Sequence, residues 1–431
     1  MLQRIWCFIV FLTLTMEGPT TFDGHWSTPW AYTTTALLYP IPGIRIPVID
    51  AIVLVLLVAS RAQPGASTGR AKPMATWILV SMGTLTLWGI YGGLKGGTWF
   101  QIRFQLHTMM MVLISALMQM NLLRTPKHFY MVGKTIVYAA LFRFVMMFVF
   151  YVTILRSLTV PLDTVTEHAD SILFVTCFVI VLANALHERT RRASWRGGVV
   201  AVMMLWCIQT NNRRLAWVGL IGSLLIMYFQ SQIGPLRRKI NRVLIRIGPV
   251  VALYVAIGMS NPVGIFKPVA SLVSVNDPNN PSTQSRILEN IGLIVTLQTN
   301  PLFGTGFGQQ YIEISTAFSV GDAIFPEYRY VPHNSVLGLL AFSGAFGFTG
   351  IWMVFAVTAF LNARAYAFAT KPLIQTIAMT SVCEVIVHTN QMWGDLGSIA
   401  TPGMVVISTA MAAASRMPVL TGAWPVGKRR A

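Results

Sequence analysis

Apolar runs of bilayer length recur from one end of this 431-residue chain to the other, and short basic segments separate them. In lipid, a backbone must satisfy its own polar groups, so runs of this kind predict membrane-spanning helices. With 54% hydrophobic and only 11% charged residues, no stretch sets a soluble domain apart. Residues 1–431 therefore read as a single integral membrane domain. The expected fold is an all-α polytopic bundle of about twelve spans, the first of them short, with a long outward loop before the tenth.

A formal charge of +18 is of the size that nucleic-acid-binding proteins carry. Its distribution points elsewhere. Basic residues gather in short segments such as Arg61, Arg70 and Lys72, Arg189 to Arg196, and Arg237 to Arg246. Acids occupy the alternating segments, with Asp163, Glu167 and Asp170 in one and Asp277, Glu289, Glu313, Asp322 and Glu327 in another. That alternation is the positive-inside pattern. It predicts cytoplasmic termini, an outward-facing loop over residues 260–332, and a lipid bilayer rather than nucleic acid as partner. The loop after the first run carries Asp23, His25, Trp26 and Trp30, and such tryptophans suit a membrane interface. Cys7, Cys177, Cys207 and Cys383 all fall inside apolar runs without metal-ligand spacing, and read as packing residues.

Three ionisable residues interrupt apolar runs: Asp50, Arg143 and Glu384. Such groups are costly in hydrocarbon and face protein or a watery cavity. Arg143 is expected to pair with Glu384 or Asp50, or to touch an anionic substrate. His388, Trp393 and Asp395 are expected in a short outward loop where they would meet sugar or form an aromatic belt. There is no Asp-x-Asp pair of the kind that holds a divalent cation.

The long polar segment ends in Tyr330-Val331-Pro332-His333-Asn334-Ser335, and an apolar run from Val336 to Phe360 follows. His333 thus stands where a water-exposed loop meets the bilayer. Gly344 and Gly347 complete the pattern His-Asn, nine residues, Gly, two residues, Gly. This resembles the signature of the O-antigen ligase and polymerase family. Two further segments share the likeness. Asn211-Asn212-Arg213-Arg214-Leu215-Ala216-Trp217 is similar to the family's Ser-Arg-Gly-Ala-Trp-type segment, with Arg214 on the family's arginine, Asn212 in place of the usual Ser and Leu215 in place of Gly. Arg286, an apolar stretch and then Pro301-Leu302-Phe303-Gly304-Thr305-Gly306-Phe307-Gly308 follow the family's order of an Arg, a helix and a Gly-rich turn. The likeness covers residues 213–350, and the first half of the chain shares only the general pattern of spans.

The resemblance implies an enzyme that transfers a glycan from a polyprenyl diphosphate donor to an acceptor hydroxyl, on the periplasmic face of a bacterial inner membrane. Arginines suit a departing diphosphate because their planar forks bind phosphate oxygens in pairs. A histidine suits the acceptor proton. The implied catalytic residues are His333, Arg286 and Arg214. Arg213, Asn334 and the exposed amides of Gly304 and Gly306 are the implied substrate contacts, with residues 260–332 as a lid; Arg143, which no segment of the likeness covers, is a further expected contact for the diphosphate if it does not pair inside the protein. No cofactor or metal is implied. The acceptor would be a second lipid-linked glycan for a polymerase of O-antigen or exopolysaccharide, or lipid A core for a ligase, working beside other glycan-assembly membrane proteins. A transporter or flippase is the alternative of another class, and it would show inverted repeats with paired broken helices.

Overall fold

The computed structural model describes residues 1–15, 47–63, 65, 68–153, 165–166, 168–188, 190–231, 235–261, 266, 269, 281–315, 329–394 and 401–425. Asp23, His25, Trp26, Trp30, Asp163, Glu167, Asp277, Asp322, Glu327 and Asp395 lie outside the described residues, as do residues 262–265, 267–268, 270–280 and 316–328 of the segment expected to act as a lid. Among the described residues the fold is helical, without strands. The helices are α1 (Leu2–Thr15), α2 (Val48–Arg61), α3 (Lys72–Leu94), α4 (Trp99–Leu122), α5 (Pro126–Thr153), α6 (His168–Glu188) and α7 (Arg191–Asn211). They continue with α8 (Arg214–Gln230), α9 (Pro235–Ser260), α10 (Pro281–Thr299), α11 (Ser335–Phe368), α12 (Pro372–Gly394) and α13 (Thr401–Leu420).

Five helices among the described residues, α3, α5, α6, α11 and α13, are long and apolar enough to cross a membrane, fewer than the expected count of spans. A sixth span results if the two halves of α9, which meet at 44°, are taken together. Pro249 lies just beyond that bend, where it removes one helical hydrogen bond.

Helices α4 and α12 are less apolar than these five for a physical reason. α4 packs against α13, α2 and α3, and α12 against α11, α6, α8 and α13, so both face protein rather than lipid. Such helices tolerate polar side chains that bond across to neighbours. Gln119 of α4 donates to the Ser408 hydroxyl of α13 over 2.7 Å and accepts from Thr409 over 2.7 Å. Asn362 of α11 donates to the Ala410 carbonyl at 3.1 Å.

Several boundaries differ from those expected. Arg103 belongs to α4 rather than to the preceding turn, and Asp170 lies in the first turn of α6 rather than in a loop. Residues 388–394 continue α12, so His388 is buried in the bundle while Trp393 is exposed. The expected outward loop at this point is helix.

The helix that follows His333 is not one continuous span. Gly344 has φ 62° and ψ −174°, which interrupts α11 after a short first segment. Four backbone groups freed by the break bond to the Gly-rich turn. Ala345 and Phe346 N–H donate to the carbonyls of Pro301 and Leu302 at 2.9 and 3.1 Å. In return Thr305 and Gly306 N–H donate to the carbonyls of Ala341 and Phe342 at 3.3 and 2.8 Å. The approach leaves no room for side chains: a Cβ on Gly304 would stand 2.5 Å from the Phe342 carbonyl carbon, and one on Gly344 would stand 2.5 Å from Gly304 N. Gly347 accommodates the Trp88 indole, whose Nε1–H donates to the Phe303 carbonyl at 2.7 Å.

Gly344→Ala places a side chain at a backbone conformation open only to glycine and against the opposite chain. We expect a loss of stability of about 1–3 kcal/mol or more from strain alone, measured as a lowered thermal midpoint of the protein purified in detergent. Gly133→Ala, where a Cβ meets nothing within 4 Å, is expected to leave stability within about 1 kcal/mol of the unaltered protein, read as a nearly unchanged midpoint.

Candidate active site

His333 is held by a carboxylate from a different helix. Its Nδ1 lies 2.9 Å from Oε2 of Glu289 on α10. The other oxygen, Oε1, accepts the backbone N–H of Asn334 at 3.2 Å. Glu289 is buried and the His333 side chain is 17% exposed, so the ring sits at the edge of the protein interior with its partner inside. A carboxylate accepts only, so the bond places a proton on Nδ1 and leaves the lone pair of a neutral ring on Nε2. In that tautomer the imidazole is oriented as a base.

The segment carrying His333 is fixed from both sides. Asn334 caps α11, its Oδ1 accepting from Leu337 N–H at 3.0 Å, while its Nδ2 donates to Asn290 Oδ1 at 3.1 Å. Gln105 of α4 donates to the Tyr330 carbonyl at 2.6 Å, and Gln101 donates to the Tyr330 hydroxyl. Pro332 packs on Gly338, where a Cβ would come within 2.5 Å of Pro332 Cγ.

Arg286 lies on α10 one turn before Glu289, in the second turn of that helix rather than at its opening. Residues three apart share a helix face, so Arg286 and the histidine's partner point to the same side. Arg214 opens α8 after a tight turn from α7, in which Asn212 adopts the left-handed region with φ 49°. The preceding Asn211 is buried, accepting from Thr166 N–H at 2.9 Å and donating to Ser171 Oγ at 3.1 Å. Arg213 stands at the N-cap position of α8. Arg214 lies within Coulombic reach of Arg286, so two cations that repel one another are held at one place. The start of α8 is tied to the end of α12 by the Asn390 amide, which donates to the Leu215 carbonyl at 2.8 Å. The structure thus brings Arg214, Arg286 and the Glu289–His333 pair to the same end of the bundle.

Two residues were not singled out for chemistry from the sequence. In the sequence Glu289 is only one of the acids of the outward segment, whereas in the structure both its oxygens serve His333 and Asn334. Tyr311 lies near it. Burial, and then the charges of Glu289 and Glu313, push the Tyr311 phenol well above its ordinary pKa, so it remains a neutral hydrogen-bond donor. A local signal for Glu289 exists in its spacing of three from Arg286, but nothing in that spacing names a histidine 44 residues away.

Three other expected substrate contacts have partners inside the protein. The Gly304 N–H donates to the Asn300 carbonyl at 2.8 Å and Gly306 N–H to Phe342, so the amides expected to be exposed are engaged in closing the turn. Arg143 forms a two-pronged pair with Asp170, Nε to Oδ1 at 2.8 Å and Nη2 to Oδ2 at 2.5 Å, with both side chains largely buried. The anticipated partners of Arg143 are occupied elsewhere. Asp50 contacts His107 Nε2, and Glu384 accepts from Thr176 Oγ1 at 2.8 Å.

Residues 199–352 match the family model described as O-antigen ligase. No curated protein matches the chain. The matched stretch contains Arg213, Arg214, Arg286, Glu289 and His333 together with the broken helix.

Two outcomes follow from these pairings. Arg143→Ala should lower stability by about 3–5 kcal/mol, because Asp170 keeps an uncompensated buried charge, and detergent-solubilised protein should show this as a lowered thermal midpoint. Glu289→Gln should leave the midpoint near that of the unaltered protein. It should reduce turnover about 10–100-fold, the worth of one charge-assisted hydrogen bond, with the rate read across pH.

Proposed function

From a family assignment to the O-antigen ligases carried by residues 199–352, we propose that this membrane protein transfers a glycan from a polyprenyl diphosphate donor to an acceptor hydroxyl. The observation that supports it most is the meeting of two arginines and a carboxylate-held histidine at one end of a helical bundle. In this reading His333 Nε2 takes the proton of the acceptor hydroxyl. The hydroxyl oxygen forms a bond to the anomeric carbon as the bond from that carbon to the diphosphate oxygen breaks. The electron pair leaves with the lipid diphosphate, whose growing negative charge Arg214 and Arg286 offset. Attack opposite the leaving group inverts the anomeric centre. Glu289 orients the ring and stabilises its protonated form. Arg213 and Asn334 border the donor, and the cations take the part that a divalent metal plays in other glycosyl transfers.

The reaction needs a membrane-borne activated donor, because the site is read as facing the periplasm, where no nucleotide-sugar pool is expected. Residues 260–332 would cover the bound glycan. We read the acceptor as another lipid-linked glycan, which makes the protein a polymerase of O-antigen or exopolysaccharide. The alternative reading takes lipid A core as acceptor, which makes the protein an O-antigen ligase.

Arg214→Ala, Arg286→Ala and His333→Ala should each remove glycan transfer while leaving membrane insertion unchanged. For His333→Ala the loss should be about 10²–10⁴-fold, the usual contribution of a general base. Glycan ladders resolved on a gel provide the readout. Normal ladders from all three variants would contradict the reading. In a deletion strain, a single repeat on the core identifies a polymerase, and loss of all attached glycan identifies a ligase.

A further inference from the structure

The seam between α5 and α7 is closed along one half and open along the other. In their second halves Trp206 of α7 sits against Phe144, Phe148 and Tyr151 of α5, with ring centroids 5.7, 5.8 and 5.6 Å away. Along their first halves the two helices instead line a cavity of about 420 Å³, which α6, α12 and α13 close from behind. It is separate from the site above. Thr376 in its wall and Asn390, which ties α12 to the start of α8, are about 21 Å apart at 1.5 Å per residue.

The interior is apolar. Ile136, Val137, Ile180, Val200, Ile377 and Val406 line it. Thr176, Thr409 and Asn184 line it too, but their donors are bonded within the protein, to Glu384 Oε2 at 2.8 Å, Gln119 Oε1 at 2.7 Å and Glu188 Oε2 at 2.9 Å. Thr376 Oγ1, Thr380 Oγ1 and Glu384 Oε1 are buried in the wall and not open to the cavity. A polar molecule would give up its bonds to water on entering such a space, whereas an apolar chain would lose none.

The mouth is of the opposite character. Lys134 of α5 and Arg192 and Arg196 of α7 stand there, all three exposed, with one carboxylate, Glu188, beside them. Exposed aromatic rings flank these cations. Tyr130 and Tyr138 lie one turn to either side of Lys134, whose Nζ stands 5.3 Å from the centre of the Tyr138 ring, and Trp195 precedes Arg196. Rings of this kind favour the headgroup level of a bilayer. The basic segments at this end read as cytoplasmic. The opening between α5 and α7 therefore lies where the headgroups of the cytoplasmic leaflet would be.

We propose that this cavity holds one acyl chain of an anionic glycerophospholipid of the cytoplasmic leaflet, with the lipid phosphate on Lys134, Arg192 and Arg196. Three cations against one carboxylate favour a head of net negative charge over a zwitterionic one. The two arginines are spaced one helical turn apart, and their forks suit phosphate oxygens. Depth supports the same occupant. On α6 the lining residues run from Thr176 to Glu188, about 18 Å at 1.5 Å per residue. One leaflet of the hydrocarbon core is about 15 Å deep. An acyl chain matches that depth, and a polyprenyl chain exceeds it.

The test uses the full chain in nanodiscs of phosphatidylcholine containing a minor fraction of phosphatidylglycerol, with retained lipid counted by native mass spectrometry. One phosphatidylglycerol per chain should be retained, at least about tenfold in preference to phosphatidylcholine. Retention should fall about tenfold or more in the Arg192→Ala, Arg196→Ala double variant, which removes the phosphate contacts. It should fall as far in Gly133→Phe, because Gly133 lines the cavity and a side chain there has room to fill it. Val200→Trp is the second filling variant should Gly133→Phe fail to fold. The Arg238→Ala, Arg242→Ala double variant removes equally exposed cations from α9 and should leave retention unchanged. The proposal is overturned if no lipid is retained, or if phosphatidylglycerol and phosphatidylcholine are retained alike. It is also overturned if the α9 variant loses as much lipid as the rim variant, which would make the effect one of general surface charge, or if the filling variants retain the lipid, which would place its chain elsewhere. Glycan transfer is not the readout, so failure here leaves the reaction proposed for His333 standing.

Discussion

The architecture at the active-site end depends on one constraint: backbone groups freed inside an apolar bundle have to find partners. At Gly344 the helix after His333 opens, and two donors and two acceptors lose their helical bonds. The Gly-rich turn from Pro301 to Gly306 supplies all four replacements. An unsatisfied group in such surroundings costs several kcal/mol, so break and turn stand or fall together. The glycines at 304 and 344 are there because the two chains approach too closely for a Cβ.

That junction has consequences for chemistry. The turn follows α10 directly, and pinning it to α11 fixes where α10 lies. Glu289 and Arg286 ride on α10, while His333 and Asn334 begin α11. The seam of backbone bonds therefore sets the distance between the histidine and its carboxylate. A site on a loop gains in this way the rigidity of packed helices, which is what a base and a pair of cations need if they are to act without reorganising. The glycine pattern that resembles a family signature has a structural role: it builds the frame between the turn and α11.

Charge inside the bundle is matched across helices. Asp170 in the first turn of α6 pairs with Arg143 of α5, and Asp50 in the first turn of α2 contacts His107 of α4, so these pairs tie helices together. At the active-site end Arg214 and Arg286 sit within reach of each other's repulsion.

Much of the plan was legible in the chain. Helical class, the apolar runs and the placing of His333 at a helix start follow from local hydropathy and spacing, since these depend on neighbours in sequence. Helix ends were less legible. α4 and α12 carry Gln105, Gln119, Glu384 and His388, and such residues look like loop or span boundaries until the helices are seen to be shielded by their neighbours. Partners were least legible. That Glu289 serves His333, that Asp170 rather than Glu384 answers Arg143, and that the amides of Gly304 and Gly306 are already engaged are facts the order of residues does not carry. Sequence alone determined which residue types were present and on which runs they lay. Only the tertiary structure decided which of them meet, because a hydrogen bond depends on separation in space and a helix can return any two distant residues to the same few ångströms.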